Sequence, residues 1–142
     1  MIRYPSVVKS GSSSSALVCL NDIFATVSEI VDYCIPPGAA QDSYSFLPAL
    51  KGEAHGKRTA VILESNNGSF AIKKGKWKLL NCSGSGGWSL GENPSMPQCQ
   101  LYDMEADPEE TSNLYDLHPE KVTELKTLLD SIRTASPRTS TH

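Results

Sequence analysis

The chain has 142 residues, 39% of them hydrophobic and 20% charged, the composition of a somewhat polar globular protein long enough for a single core. Its formal net charge of −3 excludes a global basic field that would recruit nucleic acid or an anionic membrane. No run approaches the roughly 18 apolar residues of a membrane-spanning helix, and Met1-Ile2-Arg3-Tyr4-Pro5 is too short and polar for an export signal.

In chain order, residues 2–4 read as the tail of a strand stopped by Pro5, and residues 7–15 as a Gly/Ser-rich loop. Asn21 or Asp22 then caps a helix whose apolar residues Ile23, Phe24, Val27, Ile30 and Val31 share one face. That spacing predicts burial of this helix, within residues 22–33, against a large partner surface. Pro36-Pro37-Gly38 is the expected stop. Residues 42–52, with Phe46, Leu47 and Leu50, predict a loop with one or two helical turns, and residues 51–58 a polar, exposed stretch.

A strand is expected over residues 59–65, its apolar run from Ala60 to Leu63 pointing to burial on both faces. Asn67-Gly68 signals a hairpin turn. Two further strands, 69–73 and 76–80, flank a turn at Lys74-Gly75, with Phe70 and Ile72, then Trp77 and Leu79, in the alternation of a half-buried sheet. Residues 83–97 form a long loop and 100–103 a short strand. Asp107-Pro108-Glu109-Glu110 predicts one helical turn, and a last helix from Pro119 buries Val122, Leu125, Leu128, Leu129 and Ile132. From residue 136 the tail is polar and expected to be disordered. The fold class is α+β: a small antiparallel sheet of about four strands with a closing helix, preceded by a strand and helix with little to bury them. Residues 57–135 read as a compact unit and residues 1–56 as a broken-off edge.

Taken one by one, the chemically suggestive clusters have plainer explanations. The alternating Asp103, Glu105, Asp107 and Glu109 lack the glycine and glutamate of a calcium loop, since Pro108 and Leu114 stand in those places. Ser83-Gly84-Ser85-Gly86-Gly87 nearly spells a serine-hydrolase elbow, but no helix follows to aim the serine or cradle a phosphate. Lys73, Lys74, Lys76 and Lys78 around Trp77 read as the solvated face of a sheet, and His55, His118 and His142 are isolated. Cys19 and Cys34 are too far apart along a helix to bridge; Cys82 and Cys99 either pair across a loop base or, as favoured, stay as half-buried thiols. Asn67-Gly68-Ser69 and Asn81-Cys82-Ser83 match the glycosylation sequon. No catalytic or metal-ligating residue is assigned within the chain.

Four segments together carry a resemblance: Leu17-Val18-Cys19-Leu20-Asn21-Asp22-Ile23-Phe24-Ala25-Thr26-Val27; Asp42-Ser43-Tyr44-Ser45-Phe46-Leu47-Pro48-Ala49-Leu50; Gly68-Ser69-Phe70-Ala71-Ile72-Lys73-Lys74-Gly75-Lys76-Trp77-Lys78-Leu79; and Gln100-Leu101-Tyr102-Asp103-Met104-Glu105-Ala106-Asp107-Pro108-Glu109-Glu110 with Asn113-Leu114 and His118-Pro119. In order and spacing they resemble the carboxyl-terminal third of arylsulfatase-type sulfatases, of the alkaline-phosphatase-like superfamily. The resemblance implies a formylglycine made from the cysteine of a Cys-x-Pro-x-Arg motif, a calcium site of aspartates and asparagine, and cations around the sulfate. All of these are expected upstream of Met1, leaving this chain without cofactors and inactive alone. Cys34-Ile35-Pro36-Pro37-Gly38 has glycine where that motif needs arginine, and Asn66-Asn67-Gly68 lacks the aspartate of the family's metal motif. Leu63-Glu64 stands where many similar bacterial sulfatases carry two histidines.

The resemblance assigns residues 1–56 to the terminal edge of the catalytic α/β domain, on which the apolar helix would pack, and 57–135 to a C-terminal subdomain leaning over the active-site mouth. Glu64, Asn66, Asn67, Gly87 and Trp88 are then the candidates for contact with a sulfate ester substrate. Family members are often exported, but no signal marks this chain's compartment. Two alternatives stand beside this reading: a separate or degenerate module holding sulfated glycans on the Lys76-Trp77-Lys78 hairpin, and a remnant of a related phosphate or phosphonate ester hydrolase.

Overall fold

The computed structural model describes residues 1–53, 56–84, 95 and 97–135. Two compact units divide the chain, Met1–Val61 and Ile62–His142. The tail from residue 136, His55, and most of the Gly/Ser/Pro loop lie outside the described residues.

In the first unit, residues 2–4 form no strand. Pro5 instead sits second in a turn, and the Tyr4 carbonyl accepts from the Val7 and Val8 amides at 2.9 and 2.7 Å. Helix α1 is Asp22–Ile30. It ends six residues before Pro36, because Asp32 turns left-handed (φ 52°) and the Tyr33 amide reaches back to the Ser28 carbonyl at 2.8 Å. That six-to-one closure caps the helix without proline. Helix α2, Leu47–Leu50, is a single turn with Pro48 in its opening positions; it buries Leu47 and Ala49.

The orientation of α1 departs from what its periodicity predicts. Asp22, Ala25, Thr26 and Ser28 are buried, whereas Ile23, Phe24, Val27 and Val31 are half to two-thirds exposed. The inner face is held by hydrogen bonds to the segment before α2. The Ala25 amide donates to Ser43 Oγ at 2.9 Å, and the Phe46 amide donates to Thr26 Oγ1 at 3.0 Å.

The second unit is built on a four-stranded antiparallel sheet in the order β1-β2-β3-β4: Ala60–Glu64, Phe70–Lys74, Trp77–Leu80 and Gln100–Asp103. Its registers pair Ile72 with Leu79 and Leu79 with Leu101, so these three side chains form one row across the sheet, each with no exposed surface. Helix α3, Pro119–Ala135, packs on β2 and β3 through Leu125 and Leu129, both 1% exposed. Full burial of each such side chain contributes about 1.5–3 kcal/mol. Leu128 and Ile132, expected in the core, are half-buried at its margin. Nearby, the Arg133 guanidinium lies 3.9 Å from the centre of the Phe70 ring, a cation–π contact.

Two local details correct the sequence reading, and a third, the form of the first hairpin, adds to it. Strand β1 is an edge strand, so Val61 is buried but Leu63 is 47% exposed; its apolar run does not mean burial on both faces. The first hairpin has a three-residue loop, Asn66-Asn67-Gly68, closed by Ser65 amide to Ser69 carbonyl (2.8 Å) and by Gly68 amide to Ser65 carbonyl (3.0 Å). Gly68 takes φ 80°, the left-handed position that such a loop reserves for glycine. Residues 107–110 make a turn rather than a helical turn, because Glu110 itself goes left-handed (φ 59°).

The outer side of β4 is closed by a side chain. Asn113 Oδ1 accepts from the Leu101 and Tyr115 amides, both at 3.0 Å, and the Leu114 amide donates to the Leu101 carbonyl at 2.8 Å. Replacing Asn113 by alanine strands the buried Leu101 amide. The expected loss is about 1–3 kcal/mol, read as a lower urea midpoint with unchanged slope; an unchanged midpoint would show that the amide finds water instead.

Candidate functional site

Of the five candidate contact residues, the structure places three together. Glu64 ends β1, and Asn66 and Asn67 form the adjoining hairpin tip; all three are exposed. Gly87 and Trp88 lie outside the described residues. At the tip, Asn67 Oδ1 accepts from the Ser65 hydroxyl and from the Ser69 amide, the latter at 3.1 Å, which orients the Asn67 NH₂ as a donor. The hairpin therefore offers amide donors from Asn66 and Asn67 and one carboxylate acceptor from Glu64. Such a set can bind hydroxyl and oxyanion groups; it contains no nucleophile paired with a base.

The lysines behave differently from a free cationic face. Lys74 pairs with Glu124 at 2.9 Å, Lys76 with Asp103 at 2.6 Å, and Lys78 with Glu110. The Lys121 and Lys74 ammonium groups hold the Glu124 carboxyl down at about 2. Lys76, with the Ala106 and Glu105 amides, keeps the Asp103 carboxyl below its ordinary value. Asp107 is also lowered, by the Ser112 and Thr111 amides. Of the carboxylates that alternate in sequence, Asp103 is thus engaged by a lysine and turn amides, and Asp107 by turn amides. Among the described residues no three His, Cys, Asp or Glu side chains are grouped to hold a metal ion. Cys34, the start of the near-miss formylglycine motif, is exposed, and Gly38 at φ 84° occupies the place that motif gives to arginine. The described residues fit neither a calcium site nor a formylglycine centre.

Cys82 and Cys99 are fully buried rather than half-buried, and both are free thiols. Each S–H has its own oxygen: Gly84 carbonyl for Cys82 at 3.4 Å and Asn81 Oδ1 for Cys99 at 3.1 Å.

Two polar centres escaped the sequence reading. The first is Asp22 with Arg58. Arg58 was expected in an exposed stretch, but its side chain is 10% exposed and its guanidinium donates to both Asp22 oxygens and to the Asp42 carbonyl. The same Asp22 oxygens accept from the Cys19 amide at 2.8 Å and the Tyr44 amide at 2.9 Å. Burial pushes the Asp22 carboxyl up, but Arg58 and these two amides outweigh it and the net shift is downward. The second is Gln100, whose amide donates to the Cys82 and Gly84 carbonyls at 3.0 and 2.7 Å while accepting from the Tyr102 hydroxyl at 2.7 Å. A glutamine at the start of a short strand carries no visible signal of that role. A lone arginine 36 residues after an aspartate carries little more.

The lowered carboxylates set the acid response. Their protons leave more readily in the folded chain, so on acidification the unfolded chain binds protons first and stability falls with pH. The urea midpoint is expected to hold from neutral pH to about 5, then to decline through about 4 toward 2. A midpoint flat across that window would contradict the ion pairs described.

No family model matches the chain. It is 35% identical over 137 residues to an N-acetylgalactosamine-6-O-sulfatase of Bacteroides thetaiotaomicron, a match covering 94% of this chain and 27% of that protein. It is 30% identical over 130 residues to arylsulfatase K of Gallus gallus, covering 83% and 22% respectively. Among solved structures, one described under metabolism of multiple glycosaminoglycans by B. thetaiotaomicron superposes with a TM-score of 0.65 at 33% identity, over 80% of this chain and 24% of that one. Another, solved with its substrate D-glucosamine-2-N,6-O-disulfate, shares the fold at a TM-score of 0.69 and 24% identity, over 93% and 27%. The chain thus spans about a quarter of the length of the relatives it matches.

Proposed function

We propose that this chain, which belongs with the sulfatases and aligns with their C-terminal part, serves a sulfuric ester hydrolase as its closing subdomain and the adjoining edge of its catalytic domain. The observation that carries this reading is the reversed α1. A helix that buries Asp22, Thr26 and Ser28 while presenting Ile23, Phe24, Val27 and Val31 is half of an interface. The occupant of that face is the remainder of a catalytic α/β domain, as the coverage of about a quarter of each relative suggests. A groove of about 690 Å³ in the same unit, lined in part by Ile2, Val7, Val18, Phe46 and Leu50, is a second partly apolar surface. In this reading residues 1–56 are the domain edge and 57–135 the subdomain.

In this reading formylglycine, calcium and the cations around the sulfate belong to the remainder; the described residues fit neither of the first two. The substrate class we favour is a sulfated amino sugar, after the names of the relatives. The Glu64, Asn66 and Asn67 hairpin, with Gly87 and Trp88 from the sequence, supplies hydroxyl- and sulfate-binding contacts at the mouth. The alternative of a separate module gripping sulfated glycans through the Lys76-Trp77-Lys78 hairpin has less support, because Lys76 and Lys78 are already paired with carboxylates. A phosphate-ester relative has no observation in its favour.

Two experiments test the reading. The purified chain with calcium is expected to release no sulfate from an aryl sulfate or from N-acetylgalactosamine-6-sulfate; turnover by a sample of verified intact mass would refute it. Replacing Phe24 and Val27 by glutamate is expected to change stability by no more than about 0.5 kcal/mol each while abolishing binding of an apolar dye. Unfolding by those substitutions would mean that the face is buried within the chain itself.

A further inference from the structure

We propose that Asn67 is a site of spontaneous covalent change, at which the side-chain amide is displaced by the protein's own backbone and a carboxylate is left at the hairpin tip. Three observations carry this. Asn67 is exposed; the next residue is Gly68, without a side chain to crowd a ring; and Gly68 holds φ 80° in open space, with nothing within 4 Å of where a Cβ would stand. In the folded hairpin Asn67 Oδ1 accepts two hydrogen bonds, from the Ser65 hydroxyl and the Ser69 amide, which hold the side chain until the tip opens.

The step balances with hydroxide and water alone. Hydroxide removes the Gly68 amide proton, and the nitrogen lone pair attacks Asn67 Cγ to form a five-membered imide. The bond from Cγ to Nδ2 breaks and ammonia leaves with the proton it needs. Water then opens the ring at either carbonyl, giving aspartate or isoaspartate. Isoaspartate routes the main chain through the former side chain, so it lengthens a three-residue loop whose closure depends on Gly68 amide to Ser65 carbonyl at 3.0 Å. The same bond and the two on Oδ1 must open before the nitrogen reaches Cγ. Three exposed hydrogen bonds slow the folded chain about ten- to a hundredfold relative to the unfolded one.

The test incubates the full chain at mildly alkaline pH, folded and in urea, followed by proteolysis and mass measurement of every asparagine-bearing peptide. The expected result is the amide-to-acid mass gain on the Asn67 peptide in both samples, the folded one about ten- to a hundredfold slower. The gain should be absent at Asn66, Asn81 and Asn113. Labelling by an isoaspartyl methyltransferase is expected at the same peptide, and Gly68→Ala should slow the reaction in urea, where folding plays no part. A folded chain unchanged at Asn67 well beyond the hundredfold window, or one converting equally at Asn66, would overturn the proposal.

Discussion

Asp22 is 1% exposed in the first turn of α1, and its two carboxylate oxygens receive the Arg58 guanidinium together with the amides of Cys19 and Tyr44. The chain before α1, the helix itself, the loop at residues 42–44 and the approach to β1 therefore converge on one side chain. A buried ion pair of this kind gains little over an apolar substitute of equal shape, but removal of one partner costs about 3–5 kcal/mol because the other is left charged and dry. The arrangement works because both oxygens are saturated with donors and the guanidinium reaches a further carbonyl, that of Asp42. It also explains why α1 faces as it does. With Asp22, Thr26 and Ser28 tied inward, a helix of this period has nowhere to put its apolar residues except outside.

The second unit rests on different physics. Ile72, Leu79 and Leu101 form a continuous aliphatic row, and α3 covers it with Leu125 and Leu129. Polar groups occur at the margins, among them Gln100 with Tyr102 and two carbonyls, and Asn113 with the outer amide of β4. Of the lysine–carboxylate pairs, Lys74–Glu124 is exposed and contributes little, whereas Lys76–Asp103 and Lys78–Glu110 are part-buried. They also weaken the hairpins as an anion site, since a cation already neutralised by a neighbour binds a second anion poorly.

The sheet and closing helix were legible in the sequence because period-two alternation at Phe70 to Leu79 and helical spacing at Val122 to Leu129 report directly on burial. The strength of α1 as a helix was legible too, but its burial was not. Periodicity identifies which residues share a face; whether a partner is present to cover that face depends on surface elsewhere. Arg58 was misplaced for a related reason: its surroundings in sequence are polar, and only the fold brings Asp22 to it. The hairpin candidates were found together because Glu64, Asn66 and Asn67 are neighbours along the chain. Little local could have announced Gln100 or Asn113, whose distant partners lie 12 to 18 residues away.

The contrast between a unit closed by hydrogen bonds and one closed by aliphatic packing has a thermal consequence. Exposing apolar surface raises the heat capacity of unfolding, whereas exposing polar surface lowers it. The sheet unit should therefore unfold with a strongly curved dependence on temperature, and the α1 unit with a flatter one. Their stabilities then diverge most on cooling, where apolar burial weakens and hydrogen-bonded closure does not. Each unit then has a melting temperature of its own.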